Sequence, residues 1–144
     1  MTVITNNDFF KDYVKQMKKY LTQIHFRPEV YFRLSILWVA LISLLSSVPN
    51  LHVKKVVPQS DKYVHVVIFS VLAYLLFGAL RNKLSRLQPV IQIAFIVVIC
   101  AAAGFLDEAH QLLVAGRTFS LWDWAADILG CTLGAMAYYL FHKN

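Results

Sequence analysis

An all-α bundle of four transmembrane helices, preceded by an amphipathic helix, is the fold this sequence predicts. Three observations predict it. The mean hydropathy is +0.56, and only 15% of residues are charged, against about a quarter in soluble domains. The apolar residues come in long blocks without the one-sided alternation of a surface helix. Four of those blocks approach the roughly 20 residues that cross about 30 Å of hydrocarbon. A chain of 144 residues has room for one such domain.

Residues 1–28 form a first part. Met1–Lys19 is polar and carries four lysines, so no cleavable leader is expected and the first span serves as an uncleaved insertion signal. Phe10, Val14, Met17, Leu21 and Ile24 recur at helical spacing with lysines between them. The pattern predicts an amphipathic helix on the cytoplasmic membrane surface, with a partly ordered tail as the alternative. Residues 29–144 form the four-span domain, with spans expected at Tyr31–Val48, Tyr63–Leu80, Pro89–Val114 and Leu121–Phe141. Pro49 and Pro58 bracket the first connection. Pro89 opens the third span, where a helix tolerates proline best, and Gly116-Arg117 breaks the third from the fourth.

Counting bases by loop gives the orientation. With the N-terminus inside, Lys11, Lys15, Lys18, Lys19, Arg27, Arg33, Arg81, Lys83, Arg86 and Lys143 are cytoplasmic. Lys54, Lys55, Lys62 and Arg117 are then outside. The positive-inside rule favours both termini in the cytoplasm. Clusters placed this way orient helices and meet anionic headgroups, so the net charge of +6 points to membrane lipids as partners and away from nucleic acid. Cys100 and Cys131 lie in apolar runs with no CxxC spacing and read as core thiols.

That topology gathers three polar groups at the extracytoplasmic face. "SDKYVH" opens the second span, "DEAHQ" closes the third, and "GRTFSLWDWAAD" leads into the fourth. At about 100° per residue, Asp123, Asp127, Gly130 and Gly134 share one stripe of the fourth helix. Gly130 and Gly134 form GxxxG, which lets another helix approach closely. Gly104, Glu108 and Gln111 share a face of the third span with Asp107 beside them, and Asp61, His65, Ile68 and Leu72 share one of the second. Acids at such depth persist only if paired, protonated or hydrated.

Each residue carries two readings. His65 suits proton transfer or metal ligation, or is a helix-end histidine bonded to Glu108 or Asp127. Glu108 suits general acid–base work, or is neutralised by Arg117 or Lys62. Asp123 and Asp127 could share a cation or a proton, while Asp123 also fits an early-turn acid favoured by the helix dipole. Gln111 orients a neighbour. Arg117 offers a planar fork for a carboxylate or phosphate, and is expected to fold back toward Glu108 or Asp123. Trp122 and Trp124 read as interfacial anchors, and Ser43, Ser46 and Ser47 as packing residues. No metal is assigned: Glu108-Ala109-His110 is not HExxH, and residues 108 and 110 point about 160° apart on a helix. No cofactor motif is read.

With these residues assembled, the chain resembles the VanZ-like family of membrane proteins. The likeness rests on "DKYVH" (61–65), "DEAHQ" (107–111), "GRT" (116–118) and Asp123 followed by "DILGCTLGA" (127–135), and covers Ile36–Phe141. It carries the family pattern onto Asp61, Lys62, His65, Glu108, Gln111, Arg117 and Asp123. At 127 the family commonly has asparagine where this chain has Asp127. The resemblance implies a four-helix protein of the bacterial inner membrane, with a namesake linked to resistance to the glycopeptide teicoplanin. It supplies no biochemical activity. The expected function is action on a lipid-linked or anionic envelope molecule at the outer leaflet. Glu108, His65 and Asp123 would then carry the chemistry, and Arg117, Lys62, Asp61, Gln111 and Asp127 would bind. The alternative is a non-catalytic binding or assembly module whose polar cluster is structural. An ion or proton conductor is disfavoured, because the cytoplasmic halves of the spans show no matching ionisable residues.

Overall fold

The computed structural model describes residues 10, 12–14, 16, 27–49 and 60–143, with backbone alone at 60 and 61. Four helices follow in order: α1 Pro28–Ser46, α2 Ser60–Leu84, α3 Pro89–Gln111 and α4 Leu121–His142. All four are long and apolar enough to cross a membrane, and no strand occurs among the described residues. Residues 10, 12–14 and 16 are helical as well, with Phe10, Tyr13 and Val14 exposed. Met17, Leu21 and Ile24, the other repeat positions of the expected amphipathic helix, lie outside the described residues.

Local chemistry sets the boundaries. Pro28 and Pro89 sit in the first turns of α1 and α3, where a missing N–H costs nothing because no intrahelical acceptor exists for it. The third helix ends at Gln111, three residues before the expected Val114. Leu113 and Val114 donate instead to the His110 and Gln111 carbonyls, at 2.9 and 3.0 Å. This tightened turn leaves "DEAHQ" as the last helical turn. Gly116 then reverses the chain with a φ of 76°, a left-handed conformation that glycine adopts without a Cβ clash. Ser120 caps α4, its hydroxyl accepting the Asp123 N–H at 3.2 Å.

The bundle is built around α2, whose closest partner is α4. A methyl group added at Gly130 would collide with the Val66 carbonyl, and one at Gly134 with the Ser70 carbonyl. The GxxxG stripe therefore brings two backbones into contact, as its spacing predicts. Around it Phe69, Leu72, Ala73 and Phe77 pack with Ile96, Cys100, Cys131, Ala135 and Tyr138. Both cysteines are free and buried, as expected of core thiols. Indoles tie neighbouring helices: Trp38 of α1 donates to the Ile68 carbonyl at 2.9 Å, and Trp124 of α4 to the Ala101 carbonyl at 2.9 Å. Trp124 also meets the Phe105 ring edge-on, with centroids 5.8 Å apart. It thus ties α3 to α4, a role its reading as an interfacial anchor did not include. Trp122, which faces outward, keeps a position suited to an anchor.

The outer surface is apolar. Leu44, Val67, Val90, Val98, Leu106, Leu129 and Leu140 all point away from the bundle. Exposed apolar area on this scale marks an interaction surface, and lipid is the solvent it fits. Orientation can be measured directly. With both termini cytoplasmic, a membrane-impermeant maleimide is expected to modify Thr118→Cys from outside, and Lys83→Cys only after permeabilisation. The opposite pattern would invert the topology.

Candidate functional site

The start of α2, the end of α3 and the start of α4 meet at one end of the bundle. The GxxxG contact sets the depth of α4 against α2, and this places Asp127 beside His65. His65 Nδ1 and Asp127 Oδ1 are 2.8 Å apart. One helical turn outward, Lys62 Nζ donates to Asp123 Oδ1 at 2.7 Å. From α3, Glu108 reaches the residue that caps α4: the Ser120 N–H donates to Glu108 Oε2 at 2.8 Å. Glu108 and Asp127 are fully buried, inside a bundle whose surroundings are apolar. Each has a satisfied oxygen and an unsatisfied one. Glu108 Oε1 and Asp127 Oδ2 are buried without a hydrogen-bond partner among the described residues. Buried polar atoms in this state are uncommon and call for an explanation.

The burial has a steric basis. Asp127 faces Gly104 on α3, and a Cβ built there would stand 2.8 Å from Asp127 Oδ2. A glycine at 104 therefore makes the room the carboxylate occupies. One ligand atom from each of His65, Glu108 and Asp127 lies within 4.8 Å of the others. Three helices thus hold an imidazole and two carboxylates in one small volume.

Beside this group lies a cavity of about 320 Å³ between α1, α2 and α3. Ser46, His65, Asp107, Gln111 and Arg117 form its polar part. Ile42, Leu45, Val64, Ile68 and Phe69 form its apolar part. Asp107 organises the polar wall: its Oδ2 accepts the Ser46 hydroxyl at 2.8 Å and Gln111 Nε2 at 3.2 Å. Arg117 extends over the rim, where Nε and Nη2 both donate to the Val48 carbonyl at 3.3 Å. Nearby, the Ser47 hydroxyl and His110 Nε2 are 3.0 Å apart on the exposed edge.

The arrangement joins most of the residues singled out from sequence: His65 bonds to Asp127, one of its two expected partners, while the other pairings differ. His65, Glu108, Asp127, Lys62 and Asp123 converge, and Gln111 and Arg117 line the adjoining cavity. Asp61 lies in the first turn of α2, and its side chain lies outside the described residues. The expected closure of Arg117 onto Glu108 or Asp123 does not occur. The Ser120 N–H holds one oxygen of Glu108, Lys62 pairs with Asp123, and the turn carries Arg117 toward the end of α1, where it bonds to the Val48 carbonyl. Ser46 and Ser47, expected only to pack, bond to Asp107 and His110. Asp107 was noted from sequence only as a neighbour of the Glu108 face. A serine at the end of one span has no local mark of an acid 61 positions away.

Comparison with known proteins gives one family and one relative. The VanZ/LLP1 family model matches residues 3–142. The match begins within the N-terminal segment, which the likeness over Ile36–Phe141 left outside. An uncharacterized protein of Schizosaccharomyces pombe is 32% identical over 92 residues, covering 61% of this chain and 52% of the relative. The chain therefore spans about half the length of the curated relative it matches. No solved structure matches it.

Proposed function

This chain belongs to the VanZ/LLP1 family, and from that premise we propose that it binds and acts on an anionic, lipid-linked envelope molecule. The site is the membrane face where α2, α3 and α4 meet, and in a bacterial inner membrane with both termini cytoplasmic that face is the outer leaflet. One observation carries the reading: the cavity is polar at Asp107, Gln111 and Arg117 and apolar at Ile42, Leu45 and Phe69. An amphipathic ligand fits such a wall, with its headgroup at the arginine and its chain against α1 and α2. Arg117 is half-buried and its hydrogen bonds go to a neutral carbonyl, so its charge is available to a phosphate or carboxylate. His65 borders the same cavity and connects it through Asp127 to the buried acids. In this reading Glu108 or His65 moves a proton, while Gln111 and Asp123 orient them. A relative in a yeast favours a lipid phosphate over a wall-specific peptide as the shared ligand chemistry. A link to teicoplanin resistance belongs to the proposal for a bacterial host and rests on family membership alone. It would be read as a change in the inhibitory concentration on deletion of the gene.

The alternative module without catalysis has its own support in the internal pairs Lys62–Asp123 and His65–Asp127, which hold helices together whatever else they do. The two unsatisfied carboxylate oxygens weigh against a purely structural cluster, since a bundle needs neither of them.

Arg117 tests the binding part. Replacing it with alanine is expected to lower the amount of co-purifying anionic lipid at least about tenfold, the effect of losing one charge-assisted hydrogen bond at about 1.5–3 kcal/mol. Arg117→Lys keeps the charge and loses the planar fork, so it should bind nearly as poorly, with unchanged protein levels. Mass spectrometry of lipid extracted from equal amounts of each variant decides. Wild-type lipid content in Arg117→Ala would remove the arginine from the site.

A further inference from the structure

We propose that His65, Glu108 and Asp127 bind a divalent transition-metal cation, with Zn²⁺ the ion best suited to them. Each residue comes from a different helix, and one ligand atom from each lies within 4.8 Å of the others. Imidazole and carboxylate are both good zinc ligands, and three protein ligands with a further open position is the usual arrangement of a reactive zinc site. Two ligands of a tetrahedral ion at 2.0–2.2 Å stand roughly 3.4 Å apart. Small side-chain rotations therefore close the present spacing around an ion without moving the helices.

The second observation is charge. Glu108 and Asp127 are fully buried, and each keeps an oxygen with no hydrogen-bond partner among the described residues. Among the described residues, Lys62 pairs with Asp123, and Arg117 bonds to the Val48 carbonyl. His65 alone can offset at most one of the two carboxylates. A divalent cation offsets both and gives the unsatisfied oxygens a partner, which removes the cost of burying them. Gly104 keeps the Asp127 side free of any Cβ that would fill the space.

The inference deepens the reading of this end of the bundle as the working site, because a bound cation beside the cavity would attract a phosphate oxygen. Its test does not depend on the lipid. The full chain, purified in detergent and stripped with a chelator, is titrated with Zn²⁺ and separately with Mn²⁺, and its metal content is measured by elemental analysis. About one Zn²⁺ per chain is expected. His65→Ala and Asp127→Asn should weaken binding by roughly 100-fold or more, whereas Ser85→Ala, exposed at the opposite end of the bundle, should bind as wild type. If the ligand variants fail to accumulate, His65→Cys loaded with Co²⁺ decides. It should show thiolate-to-cobalt absorption, and bound Co²⁺ without that absorption places the metal elsewhere and overturns the proposal. So would binding of neither Zn²⁺ nor Mn²⁺ by the wild-type chain, or wild-type affinity in both ligand variants. Metal binding with no lipid would sink the ligand reading alone, and lipid binding with no metal would sink this one alone.

Discussion

Gly134→Val is expected to prevent accumulation of a folded bundle, and Gly130→Val to do nearly as much damage. At Gly134 even a methyl group would meet the Ser70 carbonyl, and at Gly130 the Val66 carbonyl. These obstacles are backbone atoms of α2, so no side-chain rotation relieves them. Overpacking a well-filled core costs about 1–3 kcal/mol where side chains can adjust, and a rigid backbone puts the present case at or above the top of that range. Helices in lipid associate through close packing, with no hydrophobic drive to compensate, so the loss falls on the contact that aligns His65 with Asp127. Fluorescence-detected size-exclusion of tagged protein measures it. Leu133→Val, on the outward face between the two glycines, is the control and should leave the profile unchanged. A monodisperse wild-type profile for Gly134→Val would mean that α2 and α4 do not touch there.

How far the sequence alone leads can be seen at particular residues. The four helices were legible because hydropathy in blocks of about 20 residues reports span number directly. Face assignments also held, since they need only the helical repeat: Gly104, Glu108 and Gln111 are all buried on α3, and Asp127, Gly130 and Gly134 on α4. Pairing between helices was legible only in part. That His65 meets Asp127 and not Glu108, its other candidate, and that Lys62 meets Asp123 instead of Glu108, depends on the relative depth of α2 and α4. The Val66 and Ser70 contacts set that depth, and no local pattern states it. Arg117 was misplaced for a related reason. Charge attraction argued for an acid, but those acids had closer partners, one of them the backbone N–H of Ser120. Backbone donors carry no sequence signature.

The same capped acid supports the second large effect. Glu108→Gln is expected to abolish function, by a factor on the order of 10²–10⁴ if Glu108 transfers a proton, while folded protein stays at or above the wild-type amount. Glutamine has the same shape, and its carbonyl oxygen can still accept the Ser120 N–H that Glu108 Oε2 accepts at 2.8 Å. Its amide then occupies the position of Oε1, which has no hydrogen-bond partner among the described residues. A neutral amide is cheaper to bury than a carboxylate, so the variant removes charge and proton exchange without loosening the turn between α3 and α4. The structural reading predicts the reverse. If the carboxylate only holds the bundle together, its loss should reduce folded protein and leave each surviving molecule fully active. The measurement is complementation of a deletion strain, normalised to the folded protein recovered from membranes. Full complementation at normal abundance would take the Glu108 carboxylate out of both the chemistry and the fold, leaving only the Ser120 contact that glutamine retains.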